Sequence, residues 1–175
     1  MKGESQHDRW SGEAGVTILE LLIAIAILMI VSAGLLGAFA FALSQNKSQG
    51  EITTRTAEYC GDKMEQLMGL SFSDTQSNTA QFPTVSTGGT GLSTGGGINP
   101  SSPVSGYVDY LTVSGAPLGT TTTGTGANAP FYTRVWQIST SGNLKTITVV
   151  TQAGSSGSNI GIAPSTTLVC FKANM

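Results

Sequence analysis

Few residues of this chain could perform acid, base or metal chemistry. The only histidine is His7, which precedes a long apolar segment. Seven acidic residues lie beyond residue 15: Glu20, Glu51, Glu58, Asp62, Glu65, Asp74 and Asp109. Four of them crowd one predicted helix and Asp109 stands alone in a predicted strand, so no two carboxylates are placed for general acid and base catalysis. We therefore predict no enzyme activity, no catalytic residue, no metal site and no cofactor.

The edge of the apolar segment is where residue type and spacing point to chemistry. In the sequence EAGVTILELLIAIAIL, Gly15 lies just before the segment and Glu20 lies one turn inside it. An acidic side chain at mid-membrane costs about 2.5 to 3.5 kcal/mol, and less near the edge. Glu20 therefore requires a partner of opposite charge. The alternative is that Glu20 lies at the level of the lipid head groups and snorkels.

The segment from Leu21 to Leu43 has no charged residue and one hydroxyl group. As a helix it would be about 35 Å long, which is enough to cross a hydrocarbon core of roughly 30 Å. A buried core helix of this length rarely fits inside so small a domain. A secretory signal peptide would have a shorter apolar region and a small-residue cleavage site after it. We predict one transmembrane helix over residues 21–43.

The run from Gly15 to Leu22 resembles the cleavage and methylation motif of type IV pilins and type II secretion pseudopilins. The shared features are Gly, a hydrophobic residue, Thr, two apolar residues and Glu, followed by a long apolar helix. The resemblance implies that a membrane peptidase removes residues 1–15, cutting between Gly15 and Val16, and methylates the new N-terminus at Val16. The family most often has Phe at this first mature position.

The same resemblance implies assembly into a filament. The freed α-amino group of Val16 would be largely cationic at neutral pH, and a Glu20 carboxylate buried in a helical bundle would need an opposite charge. We predict that Glu20 pairs with the N-terminus of the next subunit. The implied partners are other pilin subunits in a helical filament, the prepilin peptidase and methyltransferase, an inner-membrane assembly platform, and membrane lipid before assembly.

The chain beyond the span continues as a helix with a polar face, so we predict one long helix over residues 16–72. Residues that can pack through apolar side-chain atoms recur at three- and four-residue steps and form one packing stripe. They are Ile52, Thr56, Tyr59, Cys60, Lys63 (through its aliphatic carbons), Met64 and Leu67. Residues 57–72, particularly KMEQLMGLSF, are similar to the corresponding helix of PilV-like minor pilins, also called type IV pilus modification proteins.

Residues 73–130 are dominated by Gly, Ser, Thr and Pro, with runs such as STGGTGLSTGGG. Such runs bury little surface, so we expect poorly ordered loop. One strand is predicted, over Tyr107–Val113, where β-branched and aromatic residues concentrate. The glycine run has no Gly-Lys-Ser/Thr sequence of a phosphate-binding loop, no strand before it and no helix pattern after it.

Residues 131–175 are predicted to form antiparallel sheet. Phe131–Ile138 and Leu144–Gln152 have strand composition and flank a short turn, which indicates a hairpin. A third strand is predicted over Thr167–Phe171. A tryptophan-bearing strand followed by NLKTITVVT is also similar to the PilV-like pattern. The predicted fold is therefore α+β, with a long N-terminal helix packed on a sheet of three or four strands.

The two cysteines, Cys60 and Cys170, would both lie outside the cytoplasm, where disulfides form. A bridge enclosing so long a loop would stabilise the fold by roughly 4 to 5 kcal/mol on the chain-entropy model. We predict this disulfide, and the alternative is two separate buried thiols.

Three functions remain open at this stage. The first is a structural subunit of a type IV pilus, or fimbrium, of the minor PilV-like kind; the second is a type II secretion pseudopilin. The third is a membrane-anchored binding domain that never polymerises. In the first two, a single-pass inner-membrane precursor has its head outside the cytoplasm and then enters a cell-surface or periplasmic filament. Nucleic-acid binding is not predicted, because the net charge is −2 and the basic residues are scattered.

Overall fold

The computed structural model describes residues 15–81, 84, 87–154 and 163–174. The predicted leader therefore lies outside the described residues except for Gly15. One long helix, α1 (Ile18–Met68), precedes a six-stranded antiparallel sheet, which confirms the predicted α+β fold. The strands are β1 (Gly95–Gly96), β2 (Val108–Leu111), β3 (Pro117–Gly119), β4 (Tyr132–Ser141), β5 (Leu144–Ala153) and β6 (Ser165–Ala173), and a short 3-10 helix spans Gly126–Asn128.

The chain divides after Gln45 into two compact units. The part of α1 in the first unit is apolar on every side. Its large hydrophobic side chains are exposed, from 41% for Ile25 to 80% for Ile18. By length and composition alone, α1 could cross a membrane. A helix that is hydrophobic all round needs an apolar surrounding, which the described residues of this unit do not supply.

The second unit, from Asn46 onward, contains the sheet, whose strands lie in the order β3-β2-β4-β5-β6. The short strand β1 pairs with β4 where Gly95 faces Ile138. The central hairpin of β4 and β5 pairs without interruption from Tyr132↔Ala153 to Ser141↔Leu144. Its two-residue loop begins at Gly142, whose φ of 58° suits the first position of a type II′ turn. The sheet has six strands where three or four were expected.

The additional strands come from the glycine-rich segment. Within the stretch predicted as a strand, β2 spans Val108–Leu111, and β1 and β3 lie outside it. At Gly96, with φ of 83°, an added Cβ would collide with the carbonyl oxygen of Trp136. Glycine is thus needed there for a close approach of two backbones, a role that composition alone does not distinguish from flexibility.

The core of the second unit lies between the upper part of α1 and one face of the sheet. The predicted packing stripe is confirmed: Thr56, Cys60, Lys63 and Leu67 are fully buried and Ile52 is half-buried. Facing them is the buried cluster that contains Trp136, Ile138, Ile147, Val149, Leu92 and Tyr107. Leu92 and Tyr107 come from the glycine-rich segment, which therefore completes this core.

Two lysines of the sheet bind the C-terminal end of α1 and the turn after it. Lys172 donates from Nζ to the carbonyl oxygen of Met68 at 2.6 Å. Lys145 donates to the carbonyl oxygens of Phe72 at 2.6 Å and Leu92 at 2.7 Å. The last carbonyls of a helix lack partners within the helix and attract cations. The lysines therefore fasten the helix end to β5 and β6.

Candidate processing and assembly site

The three described residues that precede α1 are exposed. Gly15, Val16 and Thr17 are outside any helix or strand, and Val16 is 71% exposed. Apart from the neighbouring residues in the chain, no described residue has an atom within 4 Å of the position that a Cβ of Gly15 would occupy. The fold itself therefore gives no reason for glycine at position 15, and the peptide bond after it is open to an external enzyme.

The start of α1 is fixed by Thr17. Its hydroxyl oxygen accepts a hydrogen bond from the backbone N–H of Glu20 at 3.2 Å, and its carbonyl accepts one from the N–H of Leu21 at 3.1 Å. This is the geometry of an N-cap, and Thr-x-x-Glu is the sequence of a capping box. The motif therefore has a local role in this chain: it starts the helix two residues after Val16.

Glu20 lies in the first helical turn, where the helix dipole favours a negative charge. Its side chain is exposed, and none of the ion pairs between described residues includes it. The geometry thus brings Gly15, Val16 and Glu20 together on one short exposed segment. The pairing of Glu20 with the N-terminus of another subunit stays a prediction.

Residues 10–36 match the family model described as the prokaryotic N-terminal methylation motif. The match contains Gly15, Val16, Thr17 and Glu20, and it supports a subunit of the type IV pilin and pseudopilin class. It points to a structural protein that is processed by a prepilin peptidase and assembles into pilus-type filaments. Together with the apolar helix, the motif fits a membrane-anchored precursor.

The match ends within α1 and does not reach the sheet. Neither the search of curated proteins nor that of solved structures found a significant match. The prepilin-type motif is therefore the feature that relates this chain to known proteins, and the role of the second unit depends on its own geometry.

The second unit contains a buried ion cluster that the sequence analysis missed. Asp109 accepts two hydrogen bonds of 2.7 Å from the Nε and Nη2 atoms of Arg134, and its Oδ2 lies 2.6 Å from Nζ of Lys63. The Lys63 and Asp109 side chains are 0% and 4% exposed. Asp109, expected to stand alone in its strand, instead holds two cations inside the core.

Lys63 has further partners. Its Nζ donates to Oε1 of Gln66 and to the carbonyl oxygen of Thr79, both at 2.6 Å, and lies 4.5 Å from the ring centroid of Trp136. Burial lowers the pKa of Lys63 from 10.5 to about 8, and the nearby Asp109 carboxylate opposes this shift. The contacts are those of a satisfied structural cluster rather than of a reacting group.

The alternation of core-facing residues along β4 was a sequence signal for this cluster, because it places Arg134 on the buried face. Tyr132, Arg134, Trp136 and Ile138 share one face of the strand, and that face is the core. A cation between two aromatic core positions requires a buried carboxylate nearby. Asp109 is directly opposite Arg134 in the sheet register, but the register could not be read from a glycine-rich sequence.

The predicted disulfide is not formed in the structure, where Cys60 and Cys170 are free thiols. The Cys60 sulfur lies 3.4 Å from the carbonyl oxygen of Val149 and 3.6 Å from that of Thr166. Thr166 is about 13 Å from Cys170 along β6, at roughly 3.3 Å per residue. Burial raises the pKa of the Cys60 thiol, which makes it less reactive. Both cysteines contact the same core cluster, and the bridge stays a prediction.

One cleft of about 500 Å³ lies between α1 and the loop from β2 to β3. Tyr59, Leu111 and Pro117 line it, with the carboxylates of Asp62 and Glu65 among the polar residues. Within the part of the chain that the structure describes, no group of three or more His, Cys, Asp or Glu residues could hold a metal ion.

Proposed function

We propose that the chain is a structural subunit of a type IV pilus, of the minor PilV-like kind, acting in filament assembly or modification. In this proposal, a prepilin peptidase removes residues 1–15 and methylates Val16. The mature subunit consists of the helix, predicted to span the membrane over residues 21–43, and a head that lies outside the cytoplasm. It leaves the inner membrane through an assembly platform and enters a helical filament.

The observation that carries the proposal is the combination of the prepilin-type motif with an unpartnered apolar helix. The first part of α1 exposes large hydrophobic side chains on all sides, and the motif match at residues 10–36, which covers the start of this helix, supports a processing signal there. Lipid can cover such a surface before assembly, and the same helices of neighbouring subunits can cover it afterwards. The similarity of residues 57–72 and of the tryptophan-bearing hairpin to PilV-like proteins favours the minor-pilin role.

Intact-mass spectrometry of the protein from its native membrane tests the processing step. We expect a mass that begins at Val16, with or without one methyl group, in cells that contain the prepilin peptidase, and the full-length mass in cells that lack it. A Gly15→Leu variant should retain residues 1–15, and Gly12→Leu is the matched control that should be cut normally. A mass that retains Met1 to Gly15 in all cells would favour the anchored, non-polymerising domain.

Glu20→Ala tests the assembly step. We expect the variant to be cleaved like the parent but to be depleted from sheared filaments, because the cationic N-terminus would lose its buried partner. Exposed Glu58 supplies the control Glu58→Ala, which should enter filaments normally. If Glu20→Ala subunits entered filaments as well as the parent, the charge-pairing hypothesis would be wrong.

A strain that lacks the chain separates a pilus role from a secretion role. We expect a change in the number or behaviour of surface pili, with secretion of proteins across the outer membrane unchanged. The opposite pattern would assign the chain to a type II secretion pseudopilus.

A further inference from the structure

The proposed cleavage breaks the peptide bond between Gly15 and Val16, close to the first residue of α1, Ile18. Water adds to the carbonyl carbon of Gly15, the bond to the nitrogen of Val16 breaks, and both hydrogens of the water end on the new α-amino group. An enzyme that hydrolyses a peptide bond must stabilise the charge that develops on the carbonyl oxygen. The carbonyl of Gly15 must therefore be free of helical hydrogen bonds when the peptidase binds.

A helix that began earlier in the chain would occupy this carbonyl. Each N–H of an α-helix bonds to the carbonyl four residues before it. If α1 began at Thr17, the N–H of Glu20 would bond to the carbonyl of Val16. If α1 began at Val16, the N–H of Leu19 would bond to the carbonyl of Gly15. In the structure, no backbone hydrogen bond between described residues ends at the carbonyl oxygen of Gly15 or Val16.

The side chain of Thr17 holds the N–H group that a longer helix would need first. Its Oγ1 accepts a hydrogen bond from the N–H of Glu20 at 3.2 Å. Extension of α1 by one residue would exchange this bond for the bond from Glu20 to the carbonyl of Val16. The exchange adds no hydrogen bond and fixes a further residue, so the hydroxyl of Thr17 opposes it.

The two residues that form the scissile bond also oppose a longer helix. Glycine loses more backbone freedom in a helix than any other residue, and valine loses side-chain freedom there. Val16 is 71% exposed, so no packing among the described residues holds it in a helical conformation. The chemistry of three successive residues therefore agrees on where α1 begins.

The cap has added weight because Glu20 lies next to the predicted membrane span of residues 21–43. A backbone N–H at the edge of the hydrocarbon region has little water to bond to, and an unpaired one is costly. If the hydroxyl of Thr17 were removed, the N–H of Glu20 would gain a partner only by extension of the helix to the carbonyl of Val16. Removal of the cap should therefore lengthen α1 toward the scissile bond.

We propose that Thr17 is a positioning residue for the peptidase, because it caps α1 and so keeps the bond between Gly15 and Val16 outside the helix. This inference rests on the proposed function and adds the residue that controls access to the scissile bond. A helical turn opens and closes far faster than a protease cuts, so the cleavage rate follows the fraction of precursor in which this bond is outside the helix.

Cleavage of the full-length precursor in detergent micelles by purified prepilin peptidase tests the proposal. Thr17→Val keeps the shape of the side chain and removes the acceptor. Loss of an N-cap changes the equilibrium by about fivefold, so the initial rate of formation of the product that begins at Val16 should fall about fivefold. Thr53→Val is the matched control: the hydroxyl of Thr53 also bonds to the backbone of α1, at the carbonyl of Gln49, and this variant should be cut at the parent rate.

Two further variants separate capping from recognition of the threonine side chain by the enzyme. Thr17→Asn changes the shape but caps a helix as well as threonine does, so it should be cut at about the parent rate. Thr17→Val/Ile18→Pro has no cap, but proline suits the first helical position and disfavours the helical conformation at the residue before it. The double variant should recover the parent rate. Slow cleavage of both variants would show that the peptidase reads the hydroxyl itself, which would overturn the proposal.

The Cα chemical shifts of Gly15 and Val16, measured by NMR on the labelled precursors, report the start of the helix without the enzyme. Helical shifts should appear at both residues in Thr17→Val and be absent from the parent, from Thr17→Asn and from the proline variant. Unchanged shifts or an unchanged cleavage rate in Thr17→Val would overturn the role of Thr17 and leave the proposed function intact. A parent precursor that is not cut after Gly15 would overturn both.

Discussion

The two ends of α1 have the same secondary structure but differ in how their apolar side chains are exposed. The first end exposes apolar side chains on every side, and the second buries a single stripe that includes a lysine. Leu28 is 64% exposed, whereas Leu67 is fully buried. The second end therefore packs into a core within one chain, whereas no described residue of the chain covers the first end. One helix can belong to a folded head and to an assembly at the same time.

The largest expected effect concerns the ion cluster under the second end. Asp109→Ala leaves Lys63 and Arg134 buried without an anion, which should lower the free energy of unfolding by about 3 to 5 kcal/mol. Chemical denaturation of the full chain in detergent, followed by tryptophan fluorescence, measures the change. The control is Asp62→Ala, whose exposed side chain should matter by less than about 0.5 kcal/mol. Equal stability of the two variants would show that the cluster does not hold the core.

Matched leucine variants test the comparison directly. Leu67→Ala creates a cavity in the core and should lower the free energy of unfolding of the head by about 2 to 5 kcal/mol. Leu28→Ala, in the same helix, should leave that free energy unchanged within about 0.5 kcal/mol. The comparison fails if both variants destabilise the head to a similar extent.

A smaller effect should appear as a pH dependence. The pKa of Lys63 is near 10.5 when the chain is unfolded and about 8 in the folded protein. Between these values the unfolded chain binds more protons at this site, so the free energy of unfolding should rise with pH from about 8 to about 10.5. Buried Lys145, whose pKa is also lowered by burial, contributes in the same direction.

Lys63→Met separates the two lysines in that experiment. Its free energy of unfolding near neutral pH should be lower than that of the parent, because one partner of a buried ion pair is removed, but by less than for Asp109→Ala, because Asp109 keeps its two hydrogen bonds from Arg134. Denaturation curves from pH 7 to 10 should show a shallower rise for the variant. Identical slopes for the variant and the parent would mean that Lys63 keeps its proton throughout this range.

Local patterns predicted the parts of the fold that depend on local sequence. The stripe from Ile52 to Leu67 follows the period of a helix, and a short turn was predicted between two segments of strand composition. The structure extends β4 to Ser141 and narrows this turn to two residues. The prepilin-type motif is a contiguous run of residues, so it could also be recognised from the sequence. These features need no knowledge of which distant residues meet.

The remaining features depend on pairings between distant segments. β1 exists because Gly95 and Gly96 reach β4 across some forty residues of chain, and glycine composition alone predicts a loop. The cluster of Lys63, Asp109 and Arg134 joins a helix and two strands. The sequence around each of these residues therefore does not predict which residues it contacts. The position of Cys60, beside Thr166 rather than Cys170, depends on the register of β6.

The lysines at the end of α1 have a mechanical consequence. Tension applied along the second part of this helix would pass through Lys172 into β6 and through Lys145 into β5. Both strands would then bear the load together, as neighbours in one ladder of nine paired residues. Detaching the helix end would require the rupture of short ammonium–carbonyl contacts that are shielded by the surrounding chain. The contacts of Lys145 and Lys172 thus oppose separation of the C-terminal end of α1 from the sheet.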